Sequence, residues 1–180
     1  VWYYVRAPKR NQVEEICARL QDVARGAALM TGTTVECDLL AGCYDVLANR
    51  TLGEALLRNM REAGGPRFTE DDIALARELQ ASFAEGQKGK VMEAYFAPPE
   101  VVAMTLHDGV VSVDDESEVM PGSTDVGDVS WLVPLAQFTA AAWPMGTPAH
   151  SWQATVSSGS GIGLAAMQFA AKCLAGTVYD

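Results

Sequence analysis

The chain has 180 residues, 49% of them hydrophobic and 20% charged, with a formal net charge of −10. That length and composition describe a globular chain of one domain or two small ones and exclude a disordered tail. The acidic balance argues against a nucleic-acid partner, because phosphate binding needs clustered Lys and Arg. No apolar run approaches the about 20 residues that span a bilayer, so no membrane partner is expected. Four cysteines without a CxxC pair point to free thiols in a cytoplasmic protein, with Cys17, Cys37 and Cys173 as core residues. The chain opens Val1-Trp2-Tyr3-Tyr4 with neither an initiator Met nor a signal-like segment, so it is expected to be part of a longer protein.

In chain order, Val1–Arg6 is β-branched and aromatic, stopped by Pro8, and reads as a strand with Arg6 at its end. Asn11 and Glu14 have capping-box spacing. Val13, Ile16, Cys17, Leu20, Val23, Ala24, Ala27 and Met30 then repeat at helical intervals, ended by Gly32. From Thr34 to Leu39 polar and apolar residues alternate, as in a strand with one wet face. Residues 1–45 therefore read strand–helix–strand, a thin unit that needs cover for its sheet.

Thr51 and Glu54 open a second helix with Leu52, Ala55, Leu56 and Met60 inward, broken at Gly64-Gly65-Pro66. Thr69 caps a third, whose first turn carries Glu70, Asp71 and Asp72 and whose inner face is Ile73, Ala76, Leu79 and Phe83. Glu85–Lys90 reads as a mobile loop. Val110–Val113 is a short strand, and Asp114–Glu118 a solvated acidic turn that lacks the ligand pattern of a calcium loop. Thr139–Trp143 reads as a buried strand. Ile162, Ala166, Phe169 and Cys173 place an amphipathic helix at the end, after a flexible Ser157–Gly161.

The chemistry concentrates in Pro121-Gly-Ser-Thr-Asp-Val-Gly-Asp-Val-Ser-Trp131 and Gly146-Thr-Pro-Ala-His-Ser-Trp152. Neutral imidazole is a common ligand for zinc and the usual proton carrier near pH 7, which makes His150 a candidate. A loop histidine that only hydrogen-bonds is the plainer reading. Asp125 or Ser123 can cap a short helix with Val129 and Leu132 inward, or Asp125 can orient a metal-bound histidine. Arg6 is a surface charge, or a planar fork that grips a carboxylate. His107, beside Asp108-Gly109, reads as a turn residue. No phosphate loop, GxSxG elbow or HExxH is present.

Gly-Ser-Thr-Asp125, Gly-Thr-Pro-Ala-His150-Ser and the glycine-rich turn with its closing helix resemble the C-terminal part of the aminoacylase/carboxypeptidase family of metallopeptidases. Tyr-Tyr-Val-Arg6-Ala-Pro and its helix resemble the second half of that family's inserted lid, or dimerisation, domain. The resemblance implies an α/β fold: residues 1–45 as the strand–helix–strand half of a ferredoxin-like lid, and 46–180 as the C-terminal part of a zinc-peptidase-like α/β catalytic domain. It implies a metal-dependent hydrolase that cleaves the amide bond of an N-acyl amino acid with zinc or manganese, and a homodimer formed through the lid. His150 takes the place of the last metal ligand, Asp125 a supporting place beside the metals, and Arg6 the arginine that binds the carboxylate of a small-molecule substrate. A second carboxylate-binding arginine of some carboxypeptidases would fall near Cys43 and is absent. The general base and remaining ligands would lie upstream of Val1, so the fragment alone is expected to be inactive. A non-catalytic dimerisation or interaction module is the alternative.

Overall fold

A computed structural model describes residues 1–112, 119 and 122–180. Its described residues form eight helices: α1 (Arg10–Thr31), α2 (Arg50–Ala63), α3 (Glu70–Ala81), α4 (Gln87–Ala94), α5 (Pro99–Ala103), α6 (Val126–Ser130), α7 (Trp152–Ser158) and α8 (Gly161–Tyr179). Among the described residues there is no strand. The α/β expectation, with its strand–helix–strand ferredoxin-like lid, is therefore wrong.

The physical reason differs from segment to segment. A strand exists only when its backbone groups complete a ladder. Trp2, Tyr3 and Tyr4 instead lie outside any element and open to solvent, as does Cys37, which is not a core residue. Val35 and Leu39 are exposed as well, so the alternating segment 34–39 has no surface on which to lay its apolar face. In Thr139–Trp143 the Ala142 N–H bonds Ala140 O two residues back at 2.8 Å, and the Ser157 hydroxyl donates to Ala142 O at 2.9 Å. That turn consumes the groups a ladder would use. The acidic turn Asp114–Glu118 and residue 113 of the 110–113 strand lie outside the described residues.

The chain divides into two compact units: Val1–Ala48 with Gly122–Leu135, and Asn49–Pro121 with Ala136–Asp180. In the first, α1 begins one residue before Asn11, and the Lys9 N–H donates to Gln12 Oε1 at 3.0 Å. Gly32 closes the helix in the left-handed region (φ 67°), with the Thr33 N–H reaching back to Ala28 O, a Schellman termination. The α1 apolar stripe is only partly covered: Ala28 is buried, while Ile16, Val23 and Met30 are exposed.

The second unit holds the core, and α8 is its spine. Ile162 packs with Ala76 and Leu106 at one end; Phe169 and Cys173 pack with Leu56 further along. The buried α8 residues Ile162, Ala166, Phe169 and Cys173 are those its spacing predicts. Thr69 caps α3 reciprocally: its hydroxyl accepts the Asp72 N–H, and the buried Asp72 carboxylate takes the Thr69 N–H at 2.9 Å and hydroxyl at 2.7 Å. Asn49, not Thr51, caps α2, by accepting the Leu52 N–H at 2.9 Å. Residues 87–90, expected in a mobile loop, form the first turn of α4.

Residues 157–161 are not a flexible linker. Trp143 Nε1 donates to Ser158 Oγ at 2.7 Å, and Ser160 caps α8 by accepting the Ile162 N–H. By length and composition α8 is apolar enough to cross a membrane, though one face is core. Counting uninterrupted apolar runs overlooks it because Gly, Gln and Thr dilute the segment.

Candidate functional site

His150 closes a loop, 144–151, that the second unit holds from several sides. Pro144, Gly146 and Thr147 are buried. The Met145 N–H bonds Thr105 O at 2.9 Å, and its carbonyl accepts from Gln80 Nε2 at 2.8 Å. Gly146 has φ 87° and lies against the Lys88 backbone, so only glycine fits there. The Thr147 hydroxyl donates to Pro144 O at 2.7 Å, and the Ser151 hydroxyl to Pro148 O at 2.7 Å. Ser151 also caps α7 by accepting the Ala154 N–H, and Gln153 Nε2 donates to Ser82 Oγ at 3.2 Å.

At the end of this braced loop His150 stands exposed, with φ 59°. The left-handed region costs a residue bearing a Cβ of the order of 1 kcal/mol or more. The ring makes no hydrogen bond to a described residue. It is neither a core histidine nor a turn-stabilising one, and it is held in a conformation better suited to glycine.

Asp125 and Arg6 belong to the first unit, and each is exposed. Asp125 sits at the N-cap of α6 without accepting a hydrogen bond from it. Val129 and Leu132, the expected inner face of that helix, are exposed; Gly127 and Ser130 are buried instead. Gly127 lies against the carbonyl of Tyr44, the Tyr44 N–H donates to Asp128 Oδ1 at 2.9 Å, and the Leu47 N–H to Ser130 Oγ at 2.8 Å. Asp128 thus braces the segment around Tyr44. Trp131 Nε1 donates to Asp45 O at 2.8 Å, its ring packs on Tyr44 at 5.3 Å, and the Arg10 guanidinium lies 5.0 Å from the Tyr44 ring centre. Lys9 pairs with Asp45 at 2.8 Å and holds that carboxyl below its usual range, whereas hydrogen bonding to Glu14 raises the Arg10 guanidinium.

Among the described residues no group of three His, Cys, Asp or Glu side chains could hold a metal ion. One imidazole does not make a metal centre, which needs several protein ligands. The residues present do not by themselves fit the metal that the resemblance implies. His107, read as a turn residue, is half-buried and lines a pocket of about 170 Å³ with Met60, Tyr95, Val101, Thr139 and Phe169. Nothing in its one-residue sequence context signalled that pocket, which α2, α5 and α8 create together.

Comparison with characterised proteins places this loop in context. The chain is 34% identical over 189 aligned positions to the B subunit of p-aminobenzoyl-glutamate hydrolase from Escherichia coli (strain K12). The match takes in the whole chain. The chain belongs to this amidohydrolase and peptidase family. Xaa-Arg dipeptidase of Mus musculus agrees, at 35% identity over 72 residues, covering 39% of this chain and 17% of the relative. The Homo sapiens enzyme of that name is 36% identical over 74 residues, covering 39% of this chain and 16% of the relative. The chain spans 39% of the length of the bacterial hydrolase that it matches from end to end. No family model and no solved structure matches. The relatives are named as hydrolases of amide bonds, which is the class that the Gly-Ser-Thr-Asp125 and Pro-Ala-His150-Ser elements pointed to.

Proposed function

We propose that this chain is the C-terminal portion of a metal-dependent amide hydrolase whose substrate is an N-acyl amino acid such as p-aminobenzoyl-glutamate. The observation that carries the site assignment is His150: an exposed, unbonded imidazole on a braced loop, kept at a backbone angle that disfavours it. In this reading His150 supplies one ligand to zinc or manganese, and residues outside this chain supply the rest. Asp125 supports the site, and the Arg6 fork binds the substrate carboxylate. The metal, when bound, would supply Lewis acidity toward the amide. Among the described residues there is no ligand set, and in this reading the chain is inactive by itself. Free cysteines fit a reducing, cytoplasmic setting.

The test is release of p-aminobenzoate from p-aminobenzoyl-glutamate by the full-length protein, with and without chelator. The reading expects turnover that chelation abolishes and added zinc or manganese restores. Turnover untouched by chelation removes the metal, and no turnover on any N-acyl amino acid removes the class.

A second reading, a dimerisation module, is favoured by the exposed apolar residues of the first unit, among them Trp2, Tyr4, Leu39 and Leu40. Self-association through that unit is compatible with the first reading. Sedimentation of the chain decides it: a strictly monomeric species at high concentration removes the dimer.

A further inference from the structure

Helix α8 carries two apolar faces, and only one has a partner within the chain. Ile162, Ala166, Phe169 and Cys173 are buried in the core. At about 100° per residue, Leu164, Met167, Ala171, Leu174 and Val178 fall on the opposite side, at spacings of 3, 4, 3 and 4. All five are exposed: Leu164 by 54%, Met167 by 59%, Leu174 by 54% and Val178 by 87%. Lys172 is the one charged side chain in the helix. A surface helix of a globular unit normally turns charge outward, whereas a helix apolar on opposite faces is buried on both.

The relative matched over this whole chain is more than twice as long as the matched portion. That supplies an occupant. We infer that the outer stripe of α8 is an internal packing face, covered in the complete hydrolase by an apolar layer from the polypeptide that lies outside these 180 residues. The inference rests on the proposal that the chain is part of a longer hydrolase. It goes beyond that proposal in assigning α8 as a central element packed from two sides. A second copy of the chain or a lipid surface would need the same stripe, and each predicts a different condition for its protection.

Methionine oxidation reads the stripe without any substitution, since peroxide converts an accessible Met to its sulfoxide and spares a packed one. Met167 lies mid-stripe, Met92 is 7% exposed and Met30 is 90% exposed, which gives internal references within the chain. Peptide mass spectrometry after dilute peroxide should show Met167 of the 180-residue chain oxidising nearly as fast as Met30. In the full-length protein it should slow at least tenfold, toward Met92. Leu174→Glu should leave the isolated chain folded, by circular dichroism, yet restore Met167 oxidation in the full-length protein.

Equal oxidation of Met167 in both proteins overturns the inference, as does a native protein no longer than this chain. Protection that appears in the chain alone as its concentration rises assigns the face to a second copy. Protection that appears only with phosphatidylcholine vesicles assigns it to lipid. Either result overturns the inference as stated. The readout does not depend on catalysis, so a full-length protein without amidase activity would sink the proposed function and leave this result standing.

Discussion

At the scale of single residues, His150 is where backbone and side chain disagree. Its φ of 59° asks for glycine, and the residue present is an exposed imidazole with no hydrogen bond to a described residue. Removing the side chain should therefore relieve strain. Denaturant unfolding should find His150→Gly at least as stable as the wild type, and His150→Ala less stable than His150→Gly by about 1 kcal/mol. A glycine variant weaker than the alanine variant would mean that the ring holds the loop together, and would weaken the functional reading. Asp45 makes the second residue-scale prediction. Its carboxyl titrates below the usual range because Lys9 donates to it, with help from the Arg10 N–H at 3.3 Å. A depressed folded pKa stabilises above the unfolded value of about 3.9 and is lost as pH falls through the lower, folded one. The stability gap between wild type and Asp45→Asn should thus be full at neutral pH and close on acidification below about pH 4. A gap that widens on acidification contradicts the pairing. What sequence could show at this scale was identity: Gly32, Gly64 and Thr69 stop or start helices for reasons visible in the chain itself. The caps at Lys9 and Asn49 lie two residues before where the sequence suggests them, because several polar residues in a row can each start a helix.

At the scale of elements, the long helices were legible, whereas the short helices α4, α5 and α7 and the absence of strands were not. The 4-3-4 spacing of Ile162, Ala166, Phe169 and Cys173 named the four buried residues of α8, since a helix closes its own hydrogen bonds and needs only one apolar stripe to dock. A strand depends on a neighbour elsewhere in the chain, and neither Val1–Arg6 nor Thr34–Leu39 finds one among the described residues. Alternation showed a disposition toward extended backbone and nothing about pairing. The stripe of α1 shows a milder version of the same error: its apolar positions suggest a continuous buried face, yet Ile16, Val23 and Met30 are exposed. The bracing of loop 144–151 could not be read from its own residues, because Gln80, Lys88 and Thr105 meet it from distant positions. Phe169, 4% exposed at the centre of the larger core cluster, tests the role of α8 as spine. Phe169→Ala should cost about 3–5 kcal/mol in thermal or denaturant unfolding. A loss below about 1 kcal/mol would mean that α8 is peripheral.

At the scale of the molecule, two units carry different parts of the candidate chemistry: Arg6 and Asp125 in the first, His150 in the second. Neither contains a metal-binding set among its described residues, and the chain matches 39% of its hydrolase relative. The family was readable from two short elements, Gly-Ser-Thr-Asp125 and Pro-Ala-His150-Ser, because a motif is carried by residue identity and order alone. A complete site was not, because a site assembled from several segments is not written in any one of them. The central claim is that His150 belongs to a metal site completed by residues outside this chain. Calorimetric titration of zinc into the metal-free full-length protein, wild type beside His150→Ala, tests it most directly. The account predicts that the variant stays folded and binds at least one zinc about 10-fold to 100-fold more weakly, with hydrolysis lost in parallel. Unchanged zinc affinity and unchanged hydrolysis in His150→Ala would contradict it.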